Sequence, residues 1–468
     1  MTRNVGLTLT LSALLTIATP VAAQQAPAPT PAPTPSATPV VAVPAEPLQD
    51  PAAKKSAWKN GRPLTIRYLR PQDKRGINVF ETSKEPGAPD VGMRVDFGAA
   101  FTTQVQNLSH SNTATPTLVN GVDTNKLADI GFGFNNSTAN LYLHAQLAPG
   151  IRVALTSYLS SRHHNETWVK DGYLQIDESP FGFVPFKAIM QYVTLRFGHF
   201  EINYGDAHFR RSDNGNAVYN PFVGNYIMDA FTTEIGAEVY VKAKSIIAMG
   251  AVTGGEIRGT VLSPGQRGPS YVAKLGFDRQ VTPGVRLRLT GSMYHTAKSL
   301  SNTLYGGDRA GSRYYYAVEN AASTESAQFT SGYINPGFKN QVTAVQMNPF
   351  VKVRGLEVFG VIERARGKAA SEVTTRTWHQ YAVDGVYRFF DDERLFVGAR
   401  YNRADGTLLN VAGDVGARRW QVGAGWFVLP GLLVKAEYVN QKFTGYPTAN
   451  IKNGGRFKGL MLEGIVAF

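Results

Sequence analysis

His199-Phe200-Glu201 has the spacing of half a zinc-deaminase signature, in which a His binds metal and the Glu two residues on moves protons. The other half is a Cys pair, and the chain contains no cysteine. That absence also excludes disulfides, thiolate metal sites and Cys nucleophiles. No G-x-S-x-G and no H-E-x-x-H occurs. His163-His164 sits in a polar stretch and reads as a solvated loop pair before it reads as a metal contact, while His144 has no obvious partner. The residues therefore specify no catalytic site, metal or cofactor. The richest stretch is Phe200 to Ala230, which gathers His208, Arg210, Arg211 and Asp213 among many Asn, Gly and Tyr residues. Loops this long usually carry function. Folded into a cavity, it would set hydrogen-bond donors and charge beside a passing solute; folded outward, Arg210 and Arg211 would only meet solvent.

What positions that stretch is a chain written in twos. Met93, Val95, Phe97, Ala99, Phe101 and Val105 alternate with Arg94, Asp96, Gly98, Thr102, Gln104 and Gln106, and the rhythm returns up to Phe468. Such alternation gives each strand one apolar and one polar face. Sixteen strands are predicted, near 92–106, 138–147, 151–160, 167–177, 188–199, 231–243, 246–254, 270–279, 285–295, 342–352, 356–365, 378–389, 394–403, 418–428, 432–442 and 456–468. Short connections such as Ala148-Pro149-Gly150, Thr282-Pro283-Gly284 and Leu429-Pro430-Gly431 alternate with long ones at 107–137, 200–230, 296–341 and 443–455. Transmembrane barrels show this asymmetry. The fold class is therefore all-β, an antiparallel transmembrane barrel over 92–468.

The apolar slots are nearly free of charge, and a charge at mid-membrane would cost roughly 2–4 kcal/mol. Only Lys170 and Arg364 break the pattern, both toward long-loop ends. A soluble sandwich would not avoid charge over so many strands without a second layer. The opposite slots carry Arg94, Arg152, Arg196, Lys242, Lys274, Arg286, Arg288, Arg388, Arg400, Arg419 and Lys435. Asp96, Glu234, Glu238, Asp278, Glu357, Glu363, Asp384, Glu437 and Glu463 lie among them. They read either as ion-paired wall residues or as a field that concentrates anions. A sixteen-stranded barrel is wide enough to hold water. The net charge of +13 is scattered singly, without the basic runs and stacking aromatics of a nucleic-acid surface.

Before the barrel, Met1 to Ala23 has the charge, apolar centre and small-residue cut of a secretory signal peptide. Residues 24–53 are Pro-rich and read as an extended linker or spacer. Residues 54–91 form a transition, with a strand-like piece at Leu64 to Leu69 and the phrase Gly76-Ile77-Asn78-Val79-Phe80-Glu81-Thr82. Export to the outer membrane of a Gram-negative cell is the expected destination, with lipid as the surrounding partner.

That phrase, Leu195 to Gly205 (LRFGHFEINYG) running into the basic loop, and the terminal Phe468 carry a resemblance. Over most of residues 75–468 the chain resembles the phosphate-selective porin family, porins O and P. The resemblance implies a sixteen-stranded, usually trimeric outer-membrane porin with an inward-folded third loop, and diffusion of small hydrophilic or anionic solutes, phosphate among them. That family's arginine ladder has no residue-by-residue match here. The resemblance also makes Phe468 the signal read by the barrel-assembly machinery. A surface-recognition barrel is the alternative, in which Tyr305, Arg309, Arg313, Tyr314, Tyr315 and Tyr316 of the 296–341 loop would reach outward or else pack loops together above the pore.

Overall fold

The computed structural model describes residues 70–81, 93–160, 166–179, 181–307, 313–324 and 330–468. The expected signal peptide, the Pro-rich linker, the Leu64–Leu69 piece, His163-His164 and Arg309 lie outside the described residues. Among those described, sixteen long strands form one closed antiparallel barrel, and a short strand at Phe132–Phe134 adds to the same sheet. In chain order they are β1 (Arg94–Ser111), β2 (Thr138–Ala148), β3 (Ile151–Ser160), β4 (Glu166–Ile176), β5 (Val193–Glu201) and β6 (Thr233–Ala243). Then come β7 (Ile246–Thr253), β8 (Ser270–Thr282), β9 (Val285–Thr296), β10 (Gln341–Val353) and β11 (Leu356–Lys368). The last are β12 (Arg376–Phe389), β13 (Leu395–Thr407), β14 (Asp414–Leu429), β15 (Leu432–Thr444) and β16 (Arg456–Ala467). Each pairs with its sequence neighbours, and β16 closes on β1 from Ala100↔Ala467 to Ser111↔Arg456. Phe468 finishes the seam: its N–H donates to the Ala99 carbonyl and its carbonyl accepts from the Ala99 N–H, both at 3.0 Å.

Every predicted strand has its counterpart, with shifted ends. The predicted 188–199 strand begins only at Val193, because Val184–Met190 is a short α-helix, α1. Pro185 lies in its first turn, where the fixed φ suits a helix and the missing N–H costs nothing.

The outer wall is apolar. Leu143, Ile235, Leu275, Val383, Val422, Leu462 and Phe468 are exposed, with aromatic residues such as Tyr381, Trp420 and Trp426 among them. No water-covered protein would leave such a band bare; a lipid bilayer solvates it. Arg364 does face outward, near the long-loop end of β11. So do Arg403, Arg418, Lys442, Arg456 and Lys458 toward the same rim, so charge interrupts the outer wall at more places than the two expected. Lys170 does not. A register shift against β3 pairs Ser157 with Val169 and Thr156 with Asp171, leaving Lys170 as an extra residue. This bulge moves the Lys170 side chain inside, where it is 7% exposed. A bulge inserts one residue and so reverses the facing of what it displaces.

The interior is where simple alternation says least. Instead of one wide water-filled bore, much of it is packed with protein. Loop residues Ile202, Val223, Ile227, Met228, Leu304, Tyr305, Tyr314 and Val318 join inner-wall residues Tyr294, Trp378, Val415 and Phe457 in one buried apolar cluster. The 296–341 loop thus turns Tyr305, Tyr314, Tyr315, Tyr333 and Phe338 inward. Tyr305 donates to Glu363 Oε1 and Tyr314 to Glu437 Oε1, each at 2.7 Å.

Candidate functional site

The segment from Glu201 to Thr233 crosses the barrel interior. Its backbone is irregular and buried, so its N–H and C=O groups must find partners other than water. The wall supplies them. Near its middle, the Thr102 and Thr138 hydroxyls donate to the Gly215 and Asn214 carbonyls at 2.7 and 3.0 Å, and the Gly215 N–H donates to Asn140 Oδ1 at 2.9 Å. Further on, the Ile227 and Met228 N–H groups donate to Asn402 Oδ1 and Gln380 Oε1 at 2.6 and 2.8 Å. Lys435 Nζ donates to the carbonyls of Ala217, Asn220 and Phe222 at 3.0, 3.1 and 2.9 Å. Arg419 donates to the Asn225 carbonyl at 2.5 Å and the Gly332 carbonyl at 2.8 Å. Arg400 grips Asp384 with Nε and Nη2 at 2.7 and 2.8 Å and donates Nη1 to the Gly224 carbonyl at 3.0 Å. Three of the expected lumen cations are therefore loop anchors.

A second piece of chain fills the short-turn end. The Lys74 N–H donates to the Pro430 carbonyl at 2.9 Å, and Lys74 Nζ donates to the Asp392 carbonyl, so the 70–81 segment is tied to two short turns. Phe80 then packs edge-on against Phe209 and Phe350, at 5.8 and 5.3 Å between ring centres. Arg70 donates to the Gly76 and Phe209 carbonyls at 3.0 and 2.7 Å and stacks 3.5 Å above the Tyr219 ring centre. Arg70 joins no described carboxylate. Glu357, wholly buried, gathers Asn78 of this segment, Arg210 of the loop and Arg388 of the wall.

Charge in this interior is mostly cancelled in pairs. Arg288 holds Asp206 at 2.7 and 2.8 Å, and Glu81 lies 2.7 Å from the same guanidinium. Lys274 donates to Asp206 at 3.0 Å. Burial would raise the Glu81 and Asp206 carboxyls, but the Arg288 and Lys274 charges overcome it and hold both below the ordinary range, Glu81 well below. Arg286 pairs with Asp278 at 2.6 Å, Arg152 with Asp177 at 2.9 Å, and Arg196 with Glu238 at 3.5 Å. Arg94 opens β1 opposite Gln146.

A cavity of about 200 Å³ lies on the β2–β6 side of the interior. Its basic lining is Arg70, Lys170, Arg196, His208, Arg211 and Lys242; its acidic lining is Glu81, Asp171, Glu201 and Asp213. His144, on β2, also reaches it. Lys170 donates to Glu201 and Asp213 at 2.6 and 2.7 Å. Arg211 holds Asp229 through Nε at 2.8 Å and Nη2 at 2.5 Å, with its guanidinium 4.1 Å from the Phe231 ring centre. His208 sits 2.7 Å from Glu201 Oε1 and 2.9 Å from Asn203 Oδ1. Burial lowers the His208 pKa, with Glu201 opposing. Burial also lowers Arg70 to about 10, against the pull of Tyr219 and Glu201.

The four loop residues singled out from sequence thus separate. His208, Arg211 and Asp213 border the cavity, whereas Arg210 is turned to Glu357 and Asn78. Sequence reasoning missed Arg70, Lys170 and Tyr219. Arg70 precedes the first alternating strand and its one signal was proximity to Gly76–Thr82. The His199-Phe200-Glu201 half-signature also parts: His199 meets the Thr233 hydroxyl at 2.9 Å, and Glu201 meets Lys170 and His208. Among the described residues, no three His, Asp or Glu groups are placed to hold a metal.

No family model matches the chain, and no curated protein matches it. Solved structures similar to it include the trimer form of the outer membrane protein OmpT of Vibrio cholerae, at 11% identity and TM-score 0.48, covering 81% of this chain and 100% of that one. An anion-selective porin from Comamonas acidovorans is similar at 11% identity and TM-score 0.48, over 80% of this chain and 100% of that one. The outer membrane channel DcaP of Acinetobacter baumannii is similar at 10% identity and TM-score 0.47, over 81% and 98%.

Proposed function

We propose that the chain is a porin of the Gram-negative outer membrane, passing small hydrophilic solutes along the β2–β6 side of the barrel with a tilt toward anions. The observation that carries this reading is the cavity left between wall, loop and 70–81 segment, bordered by Arg70, a half-buried cation with no described carboxylate partner. A cation so placed lowers the energy of a passing anion, and low-dielectric walls focus its field. The 201–233 loop acts as the constriction, with His208, Arg211 and Asp213 at its edge. Phosphate is the anion the family resemblance implies, and the homotrimer comes from the same source. Arg288, Arg388 and Arg400 are each held by a carboxylate, which argues against a free arginine ladder. Phe468, outward on the closing seam, is the residue the assembly machinery would read.

The full chain in planar bilayers tests the reading through single-channel conductance and reversal potentials in a salt gradient. Discrete conductance with anion preference is expected, and Arg70→Gln should reduce that preference. Bilayers that stay shut would overturn the channel. Cation preference would overturn only the tilt. The packed interior favours a second reading, a recognition barrel. The inward-turned Tyr305 and Tyr314 oppose it, since recognition needs that loop outside.

A further inference from the structure

The outer face carries a feature that solute passage does not use. Toward the long-loop rim, Arg403 of β13 lies directly opposite Arg418 of β14, Arg418 opposite Lys442 of β15, and Lys442 opposite Arg456 of β16. All four are exposed on the outer wall. Like charges directly opposite on neighbouring strands weaken a sheet, and here three such pairs run in succession. Arg403 has one acidic neighbour, Asp405 at 2.6 Å, with both side chains partly exposed. Among the described residues, Arg418, Lys442 and Arg456 have no ion-pairing carboxylate; Arg456 donates to the Ser111 hydroxyl at 2.9 Å.

The depth of the row is set by what lies beneath it. One register step toward the short turns, Tyr401 faces Trp420 with ring centres 4.6 Å apart, and the same row continues through Asn440 to a further exposed cation, Lys458. The next step brings Ala399, Val422, Tyr438 and Leu460. Apolar wall, aromatic pair and cations thus follow in the order of acyl chain, interface and headgroup. With strands about 4.8 Å apart, four cations span roughly 14 Å along the row.

We propose that this row binds a phosphorylated glycolipid of the outer leaflet, whose headgroup anions relieve the like-charge repulsion. The proposal rests on the outer-membrane reading of the barrel, but not on conduction. A headgroup with several anionic groups can bridge neighbouring cations, whereas a single phosphodiester satisfies one. Each basic residue at a lipid surface contributes a factor of roughly five in affinity. Replacing all four therefore removes on the order of 100-fold or more.

The test uses the full chain in detergent, titrated with rough lipopolysaccharide, its dephosphorylated form and phosphatidylglycerol, with native mass spectrometry as readout. Wild type should retain lipopolysaccharide about 100-fold more tightly than the Arg403→Gln, Arg418→Gln, Lys442→Gln, Arg456→Gln variant. Dephosphorylation should weaken wild-type binding and leave the variant's unchanged. An Arg→Lys version of the row should keep most of the affinity. Heat-dependent gel mobility checks that each variant is folded, and the double variant Arg418→Gln, Lys442→Gln replaces the quadruple one should it misfold. Equal retention by wild type and variant, or indifference to dephosphorylation, overturns the proposal. So does a variant that loses subunit association with lipid binding intact, since the row would then face another copy.

Discussion

Replacing Glu357 by Gln should release two chain segments at once. The carboxylate is fully buried and receives Arg210 from the loop at 3.1 Å, Arg388 from β12 at 2.9 Å, and the Asn78 amide from the 70–81 segment. Gln keeps the volume and removes the charge, leaving two buried guanidinium groups without their shared anion. Breaking a buried pair in this way costs about 3–5 kcal/mol. At about 1.4 kcal/mol per decade, the docked arrangement loses on the order of 100- to 4,000-fold against states in which Arg210 and Asn78 swing free. Hydrogen–deuterium exchange followed by mass spectrometry reads this directly. Amides of 203–229 and 70–81 should exchange faster by that factor, while those of β13–β16 stay protected. The triple variant Glu357→Leu, Arg210→Met, Arg388→Met removes anion and cations together and should recover most of the protection. Unchanged exchange in Glu357→Gln would refute the idea that this carboxylate holds the interior together.

Three other changes probe the cavity. Lys170→Ala removes the cation that Glu201, Asp213 and Asp171 share, leaving Asp213 to Arg211 at 3.5 Å; one charge at about 8 Å in water is worth about 0.5 kcal/mol, so the permeability ratio should move about two- to threefold toward cations. In Gly215→Ala, the new methyl would lie 2.6 Å from the Ala139 carbonyl carbon and 2.7 Å from the Ala100 oxygen, both backbone atoms; the loop cannot seat there, and larger, noisier conductance should appear. Because burial lowers the His208 pKa, the unfolded chain takes up this proton at a higher pH than the folded one. Stability linked to His208 is therefore full above about pH 6.5 and falls as pH drops through the folded value. Between pH 7 and pH 5 the thermal midpoint should drop less in His208→Asn than in wild type.

The wall was readable and the filling was not. Period-two alternation located sixteen strands because lipid on one side enforces it over the whole length of each. It misplaced Lys170, since a bulge changes the phase of a strand without any residue type to announce it. It ran β5 over the end of α1, where Ala188, Ile189 and Met190 are consecutive apolar residues with no alternation to mark strand from helix. On the inner face, alternation says only that the neighbour is polar. Arg400 or Lys435 would look the same in sequence facing water or facing the Gly224 and Phe222 carbonyls. Arg70 escaped because its segment acquires a place only after the barrel exists around it.

The pairing of interior charges decides how this barrel should respond to ionic strength. Salt screens solvated charge over about 8 Å at physiological concentration and reaches buried pairs far less. Asp384 with Arg400, or Glu357 with Arg388, is inaccessible to mobile ions. The formal charge of +13 is therefore a poor guide to the field felt by a solute. On the proposed porin reading, that field comes from the groups around the β2–β6 cavity, and added salt should erase it while leaving the braced interior intact. Selectivity and rigidity, drawn from the same residue types, should separate cleanly along a salt titration.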